Sequence, residues 1–495
     1  MNRQIRRVAI AVGVLMAALL LNLNYVQVIK SDAYRDDSRN RRVLLTEYST
    51  PRGQIVVQGT PVAESVRTTD ELEFLRRYPL AKQYASVTGY YSLFYGKGGL
   101  EQSEDEVLSG SDPRLLGRRI ADIITGREPQ GGSVILTLNK AAQATAYAAL
   151  AGRRGSVVAM DPVTGAILAD VSSPSYDPNL LSSHNSAEIQ AAWDRNVNDP
   201  NQPMLDRGLA VSYPPGSVFK VVVSAAALKA GKVPSDRIPA PTVLKLPGTE
   251  SATMTNFGGE KCGNGVTDTL LNAFTISCNT AFGQLGMDLG TDAVRSEAAL
   301  FGIDDQSRTV PLPVVRSTIG PVPDQAALAQ TSIGQRDVQL TSLQIAMLSA
   351  AVANDGKLMT PYLVAREQAP NLSSLSVTEP KLFNTVLDSA QATMLQQMMV
   401  SVVQNGTGTK AQIKLPGVVV GGKTGTADNQ DSQGHPLAPH ATFTGYAIRN
   451  GTPKIAISVV LENAGVNGSE SAGGLAAAPV ARAVMSAYLN DPASS

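Results

Sequence analysis

The stretch running from Tyr213-Pro214-Pro215-Gly216-Ser217-Val218-Phe219-Lys220 into Val221-Val222-Val223-Ser224-Ala225-Ala226-Ala227-Leu228 constrains the fold more than any other. Two prolines and a glycine break the preceding structure, because proline removes a backbone donor and glycine opens the left-handed region. The apolar run after them reads as a helix without a polar face, and such a helix has to be wrapped by other elements. Ser217 falls in its first turn, where free N–H groups and the positive end of the helix dipole favour a developing oxyanion. Lys220, three residues on, shares that face and lies close enough to take the hydroxyl proton. The same residues also fit an N-capping serine followed by a snorkelling lysine. About one Ser-x-x-Lys is expected by chance in a chain of this composition, so the rest of the sequence has to decide.

The chain has 495 residues, enough for two or three domains with a large core. It carries 42 basic and 42 acidic residues, so nothing suggests a polyanionic partner such as nucleic acid. Arg3, Arg6 and Arg7 precede an uncharged run from Val8 to Ile29, long enough to cross a bilayer core, although Asn22, Asn24 and Gln27 weaken its outer end. A cleaved signal peptide competes, but no convincing small-x-small site comes after the apolar run, which favours an uncleaved anchor. The arginines place the N-terminus in the cytoplasm and everything after Lys30 outside. The two cysteines, Cys262 and Cys278, then fall in an oxidising compartment, where an even count this close in sequence favours one disulfide. Buried free thiols are the alternative.

Ser31 to Asn40 is polar and reads as a stalk. Val43-Leu44-Leu45 and Arg52-Gly53-Gln54-Ile55-Val56-Val57 read as strand, turn, strand. Up to about Gly132, short β-like runs alternate with polar stretches such as Glu101 to Glu106, whose charges read as solvated surface. Beyond it, Val134 to Leu138 reads as a strand and Lys140 to Ala151 as a helix. Gly155–Met160 and Ala166–Val171 read as a hairpin about Asp161-Pro162-Val163-Thr164-Gly165. Helical material dominates from Ser217 to about Asn354. Strands return at Gly417–Thr426, Phe443–Ile448 and Lys454–Leu461, and Gly474 to Leu489 is a final amphipathic helix. Two strands early, three late and helices between predict an α+β domain with a five-stranded antiparallel sheet, flanked by helices and covered on one side by a helical subdomain. The expected organisation is a tip and transmembrane anchor over 1–30, a β-rich N-terminal pedestal domain without a candidate site over 31–132, and the α+β domain over 133–490.

Three short motifs come in a fixed order. Ser217-x-x-Lys220 is the only Ser-x-x-Lys. Ser277-Cys278-Asn279 is one of three Ser-x-Asn triplets, beside Ser38-Arg39-Asn40 and Ser183-His184-Asn185. Lys423-Thr424-Gly425 is unique and lies in a glycine-flanked strand that a substrate backbone can approach closely. Singly, Ser277 and Asn279 fit cap residues and Lys423 a strand-edge lysine. Jointly and in this order they form the active-site signature of serine penicillin-recognising enzymes. The chain resembles the class B penicillin-binding proteins, peptidoglycan transpeptidases of bacterial cell-wall synthesis, and most nearly the actinobacterial penicillin-binding protein A type. The likeness includes Arg52 to Ile55, Val171 to Asn179, Ser332-Ile333-Gly334-Gln335, Lys423 to Ala427 and His440-Ala441-Thr442-Phe443. Thr442 departs from the family's more usual aromatic.

The resemblance implies roles. Ser217 attacks the penultimate D-alanine carbonyl of a stem peptide ending in D-Ala-D-Ala, with Lys220 as base, its pKa lowered by burial and by Lys423. Ser277 relays a proton to the leaving amine, and Asn279 orients Lys220 and the substrate amide. Lys423 supplies positive charge, and Thr424, Gly425 and Thr426 bind the substrate, the two threonine hydroxyls taking its carboxylate. The N–H groups of Ser217 and Thr426 form the oxyanion hole. β-Lactams acylate Ser217. The resemblance also implies a separate glycan polymerase and division or elongation proteins as partners, with division the favoured setting. No metal or cofactor is expected: the two cysteines are expected in a disulfide, there is no His-Glu-x-x-His, and His184, His435 and His440 read as polar loop residues without a Gly-x-Ser-x-Gly elbow. A D,D-carboxypeptidase, in which water replaces the acceptor amine, is the runner-up. A β-lactam sensor or idle wall-assembly scaffold is the alternative from another class. A sensor needs an inner signalling region, and only seven residues precede Val8.

Overall fold

The computed structural model of the chain describes residues 2–30, 45, 47–305, 310–430, 433, 435–464 and 473–494. The stalk expected over Ser31–Asn40, the strand expected at Val43-Leu44 and the Ser38-Arg39-Asn40 triplet lie outside these residues. Leu45 is helical rather than extended.

Helix α1 (Asn2–Asn24) continues through a π-helical turn to Ile29. At 23 residues it spans about 35 Å at 1.5 Å per residue, enough for a hydrocarbon core. Val8, Leu15, Leu19 and Leu21 are all more than half exposed, so the helix offers its apolar surface outward instead of packing it on the protein.

Two sheets organise the rest. In chain order their strands are β1 (Ile55–Val57), β2 (Thr60–Arg67), β3 (Phe74–Arg77), β4 (Ser133–Leu136), β5 (Gly155–Met160), β6 (Ile167–Ser173), β7 (Val364–Gln368), β8 (Ser374–Val377), β9 (Val418–Gln430), β10 (Pro436–Arg449) and β11 (Thr452–Leu461). The first sheet runs β8-β7-β4-β1-β2-β3, with β1 and β4 parallel and the remaining pairs antiparallel. β4 is the strand expected at Val134–Leu138 within the catalytic half. It belongs instead to the N-terminal sheet, where Ile55 pairs with Val134. Two further strands of that sheet come from beyond residue 360, out of register with any sequence-local signal. The N-terminal region also carries helices Ala81–Thr88 and Leu116–Thr125.

Beneath this sheet lies a buried ion cluster. Glu101, expected in a solvated stretch, is fully buried and accepts from Arg52 Nε at 2.5 Å and Arg76 Nε at 2.6 Å. Tyr78 Oη donates to the same carboxylate at 3.2 Å. Burial pushes the Glu101 carboxyl up, but Arg76 and Arg52 more than offset this and hold it below its ordinary value. Breaking such a cluster at one member leaves an uncompensated buried charge, at about 3–5 kcal/mol.

The second sheet runs β9-β10-β11-β5-β6, antiparallel throughout. The predicted five strands are present, with the early hairpin and the late strands meeting at the β11–β5 pair, Val459 opposite Val157. One face is covered by the alanine-rich helix α2 (Lys140–Leu150) and the terminal helix, whose Val480, Val484 and Met485 share a core with Val157, Ile457 and Val459. The other face is covered by α5 (Ser342–Ala353), preceded in the chain by α3 (Lys220–Lys229) and α4 (Asn279–Leu289). Every residue of α5 is buried, and α3 is buried from Lys220 to Leu228, as a helix without a polar face requires.

Candidate active site

The Pro-Pro-Gly break does what its residues allow. Tyr213 pairs with Leu340 in a two-residue ladder, and Gly216 then turns at φ +55°, donating its N–H to Gly334 O at 2.9 Å. Ser217 lies in the single 3-10 turn Gly216–Phe219 that opens directly into α3, so Lys220 becomes the first residue of the α-helix. Gly216 is pressed against β9: a Cβ at this position would stand 2.4 Å from Thr426 O. The nucleophile turn and the strand carrying Lys423 therefore touch backbone to backbone.

Lys220 is fully buried. Its Nζ donates to Ser277 O at 2.6 Å, Asn279 Oδ1 at 2.7 Å and Ser277 Oγ at 3.2 Å. Lys423, equally buried, donates to the same Ser277 Oγ at 2.9 Å and to Thr424 O at 3.2 Å. The Ser277 hydroxyl thus accepts from both lysine side chains. A hydroxyl has two lone pairs and one proton, so with both lone pairs engaged its proton is directed to a third group. Ser277 itself sits at φ +66°, a left-handed conformation that a serine holds only when its surroundings fix it.

Ser217, Asn279 and Thr426 share the wall of one cleft of about 390 Å³ with Thr255, Asn256, Phe257, Gly258, Ile333, Gln335, Asp428 and Pro439. β9 is the edge strand of its sheet, with Gly425 opposite Thr442 and Thr426 opposite Ala441, so its outer backbone edge is unclaimed by the sheet. Thr424 is not brought to the cleft wall: it is buried, and its hydroxyl bonds Thr407. Thr442, the family departure, is fully buried on the β10 side of Gly425. Of the other Ser-x-Asn triplets, Ser183-His184-Asn185 caps the helix Ser186–Asn198. Cys262 and Cys278 are joined, with Cα atoms 6.2 Å apart.

Two features have no clear sequence signal. The loop Thr255–Gly258 supplies one side of the cleft, though nothing in its composition marks it. Beside the nucleophile turn, Glu462 collects Tyr213 Oη at 2.9 Å, Arg207 Nε at 2.9 Å and an Arg154 guanidinium nitrogen at 2.8 Å. Of the three histidines, His440 departs from the loop position expected for it. It lies in β10 opposite Ala427, its ring 5.7 Å from Tyr213 in an edge contact. Burial lowers its pKa against the raising effect of Glu462. Its Nδ1 accepts from Asn463 N at 3.3 Å, so its described contacts place it in the Tyr213–Glu462 surround. His184 pairs with Asp70 at 2.6 Å.

Known proteins resemble the chain along its whole length. Residues 155–486 match the penicillin binding protein transpeptidase domain, and residues 52–134 match the penicillin binding protein A dimerisation domain. The peptidoglycan D,D-transpeptidase PbpA of Mycolicibacterium smegmatis is 45% identical, covering 99% of this chain and 100% of its own. Its namesake from Mycobacterium tuberculosis is 46% identical, with 99% of each chain covered. The ceftriaxone acyl-enzyme structure of penicillin-binding protein A from M. tuberculosis superposes with a TM-score of 0.85 at 45% identity, covering 90% of this chain and 99% of that one. With this geometry and these relatives, the chain belongs to the class B penicillin-binding proteins, its match to the penicillin-binding protein A dimerisation domain preceding its transpeptidase domain.

Proposed function

We propose that this chain cross-links peptidoglycan stem peptides through an acyl-enzyme on Ser217. The observation that carries this assignment is the shared Ser277 hydroxyl, held by Lys220 and Lys423 in a cleft that Ser217 and the β9 edge also line. A stem peptide ending in D-Ala-D-Ala adds to the outer edge of β9 as an extended strand. Ser217 Oγ attacks the penultimate carbonyl carbon and gives its proton to the neutral Lys220 amine. The resulting oxyanion faces the N–H groups of Ser217 and Thr426, each worth roughly 3 kcal/mol in acyl transfer. The C–N bond then breaks, and the departing D-alanine amine takes a proton through Ser277 from the lysine side. Asn279 holds Lys220 and receives the substrate amide. Thr426, set in the cleft wall, and Lys423 receive the terminal carboxylate. Thr424 contributes from behind through the Thr407–Thr424 contact. A neighbouring stem-peptide amine attacks the ester carbonyl carbon and gives a proton to Lys220, which returns it to Ser217 Oγ as the C–O bond breaks. β-Lactams present a carbonyl and carboxylate in the same relation and stop at the acyl-enzyme.

The length and outward apolar surface of α1, with Arg3, Arg6 and Arg7 before it, support a single-pass anchor in the cell membrane and a catalytic domain outside. The chain forms no glycan strand in this reading, so a separate polymerase and division or elongation proteins are its partners, with division preferred.

The test uses the full-length protein in detergent. Fluorescent penicillin should label the wild type on Ser217 and leave Ser217→Ala unlabelled; an unlabelled wild type sinks the assignment. A D-alanyl thioester analogue supplied with a D-amino acid acceptor should yield the transfer product. Hydrolysis alone would replace the transpeptidase with the carboxypeptidase, and labelling without turnover of any ester would favour the sensor or scaffold.

A further inference from the structure

The turn that presents Ser277 and Asn279 has a missing part, supplied from elsewhere in the chain. Asn279 opens helix α4, and the residue in the N-cap position is Cys278. A helix leaves its first N–H groups without partners inside the helix, and a Ser, Thr, Asp or Asn side chain at the N-cap ordinarily accepts from them. Cys278 makes no such bond, and its sulfur is committed to Cys262. The Asn256 side chain fills the place. Its Oδ1 accepts from Asn279 N at 2.9 Å, Thr280 N at 3.0 Å and Thr280 Oγ1 at 3.2 Å. Its Nδ2 donates to Glu260 O at 3.0 Å, so the carboxamide is satisfied at both ends. Asn256 is buried but reaches the cleft wall.

We infer that Asn256 is a positioning residue for acyl transfer, capping α4 in trans and thereby fixing Asn279 and Ser277 against Lys220. The inference rests on the acyl-enzyme reading above and adds a residue outside the three motifs. The physical chain is short. Oδ1 fixes the Asn279 backbone N, and the Asn279 side chain leaves that same residue to meet Lys220 Nζ at 2.7 Å. Two residues earlier, Ser277 holds its left-handed backbone and offers Lys220 both its carbonyl and its hydroxyl. With the cap gone, two N–H groups lose their acceptor, the first turn of α4 frays, and the Asn279 carboxamide no longer stays on the lysine. The disulfide and the cap are complementary. One ties the cysteine between Ser277 and Asn279 to the 256–262 loop, and the other ties the helix start to the same loop.

Three variants of the full-length protein test this with fluorescent penicillin, measuring the limiting acylation rate and the half-saturating concentration separately. Asn256→Asp keeps an acceptor of the same reach and should acylate within threefold of wild type. Asn256→Gln keeps the amide but places it one methylene too far, and Asn256→Ala removes it. Both should lose at least tenfold in the limiting rate while half-saturation moves less than threefold. The Asp-over-Gln order decides the matter even if the alanine variant does not fold. A Gln variant as fast as wild type, or an Asp variant as slow as Gln, overturns the assignment of Asn256. A wild type that fails to label overturns the acyl-enzyme reading itself, and is told apart from the first outcome by that control.

Discussion

Replacing Gly216 by alanine probes how closely the nucleophile turn is seated on the substrate strand. The Gly216 Cα lies between two backbones, with Gly334 O accepting its N–H and Thr426 O 2.4 Å from where a methyl group would stand. Carbon atoms in good contact are about 3.5 Å from their neighbours, so turn and strand have to part by about 1 Å. The left-handed backbone at φ +55° costs alanine roughly 1–2 kcal/mol more, by the Cβ–carbonyl clash. The separation bears on the chemistry directly, because Ser217 is the next residue and the Thr426 N–H is the proposed second oxyanion donor. Misplacing reacting groups by 1 Å costs about 10²-fold in rate, or about 2.7 kcal/mol of barrier. Gly231, just past the end of α3, is the matched control. It too has a positive φ, of +86°, but nothing stands within 4 Å of its would-be Cβ. Time courses of fluorescent penicillin labelling on both variants should show Gly216→Ala slowed about 10²-fold and Gly231→Ala within threefold of wild type. If Gly216→Ala labels within fivefold of wild type, or Gly231→Ala falls as far, close seating of the turn is not what sets the rate.

Two further perturbations read other parts of the structure. Opening the Cys262–Cys278 bond, by reductant or by Cys262→Ser with Cys278→Ser, removes a cross-link across a sequence separation of 16, worth about 3 kcal/mol in the chain-entropy model. Melting should fall accordingly and acylation of Ser217 should slow; unchanged labelling of the reduced protein would show that the tether does not hold the Ser277 turn. The second concerns Asp170 and Asp206, a buried carboxyl pair: burial, then Asp206, pushes Asp170 well above its ordinary value, and burial raises Asp206 to about 6. The folded state therefore binds more protons than the unfolded one above the ordinary aspartate range, so stability is full below about pH 4 and is lost as pH rises through about 6 and beyond. Asp170→Asn should remove the part of that loss that Asp170 carries, gaining on the order of 1–3 kcal/mol at pH 7 and little at pH 4, while the buried Asp206 keeps its own. Melting curves across this range check it, and a parallel pH dependence in both proteins would dispose of Asp170 as its source.

What the sequence discloses and what it hides divide along physical lines. The five strands of the catalytic sheet are legible because apolar runs such as Val157-Val158-Ala159 and Ile455-Ala456-Ile457 are bounded by turn residues, and their register comes from the hairpins. The motif residues are legible because Ser217 and Lys220 share one turn, where spacing alone fixes proximity. Glu101 misleads, since a carboxylate in the run Glu101 to Glu106 looks solvated until Arg52 and Arg76 arrive from 49 and 25 positions away. The Thr424 hydroxyl reads as a substrate ligand from its place in the motif, whereas its partner Thr407 lies in a loop 17 residues earlier. Asn256 is invisible for the same reason. A cap supplied in trans leaves no spacing signature, and the one local clue, a cysteine at an N-cap position, appears only once the helix start is known.

The strands β7 and β8 bear on how the two halves work together. They leave the catalytic part of the chain after α5, cross to the N-terminal sheet, pair with β4, and return towards helix Ser389–Asn405 and β9. Ile167 N meanwhile donates to Tyr362 O, and Thr137 N to Leu363 O, so the crossing segment is bonded both to the catalytic hairpin and to the short link between β4 and α2. A pedestal joined by a single linker would move freely, as small polar inter-domain contacts generally permit. Here the Ile167–Tyr362 and Thr137–Leu363 bonds tie the crossing segment in place, and moving one half against the other means breaking main-chain bonds rather than sliding side chains. Pairing β7 with β4 closes a loop of more than two hundred residues, a non-local contact whose entropy cost the packing of the core has to offset. The N-terminal sheet is thus incomplete without strands from the later part of the chain, and a chain cut before Val364 leaves β4 with an open edge.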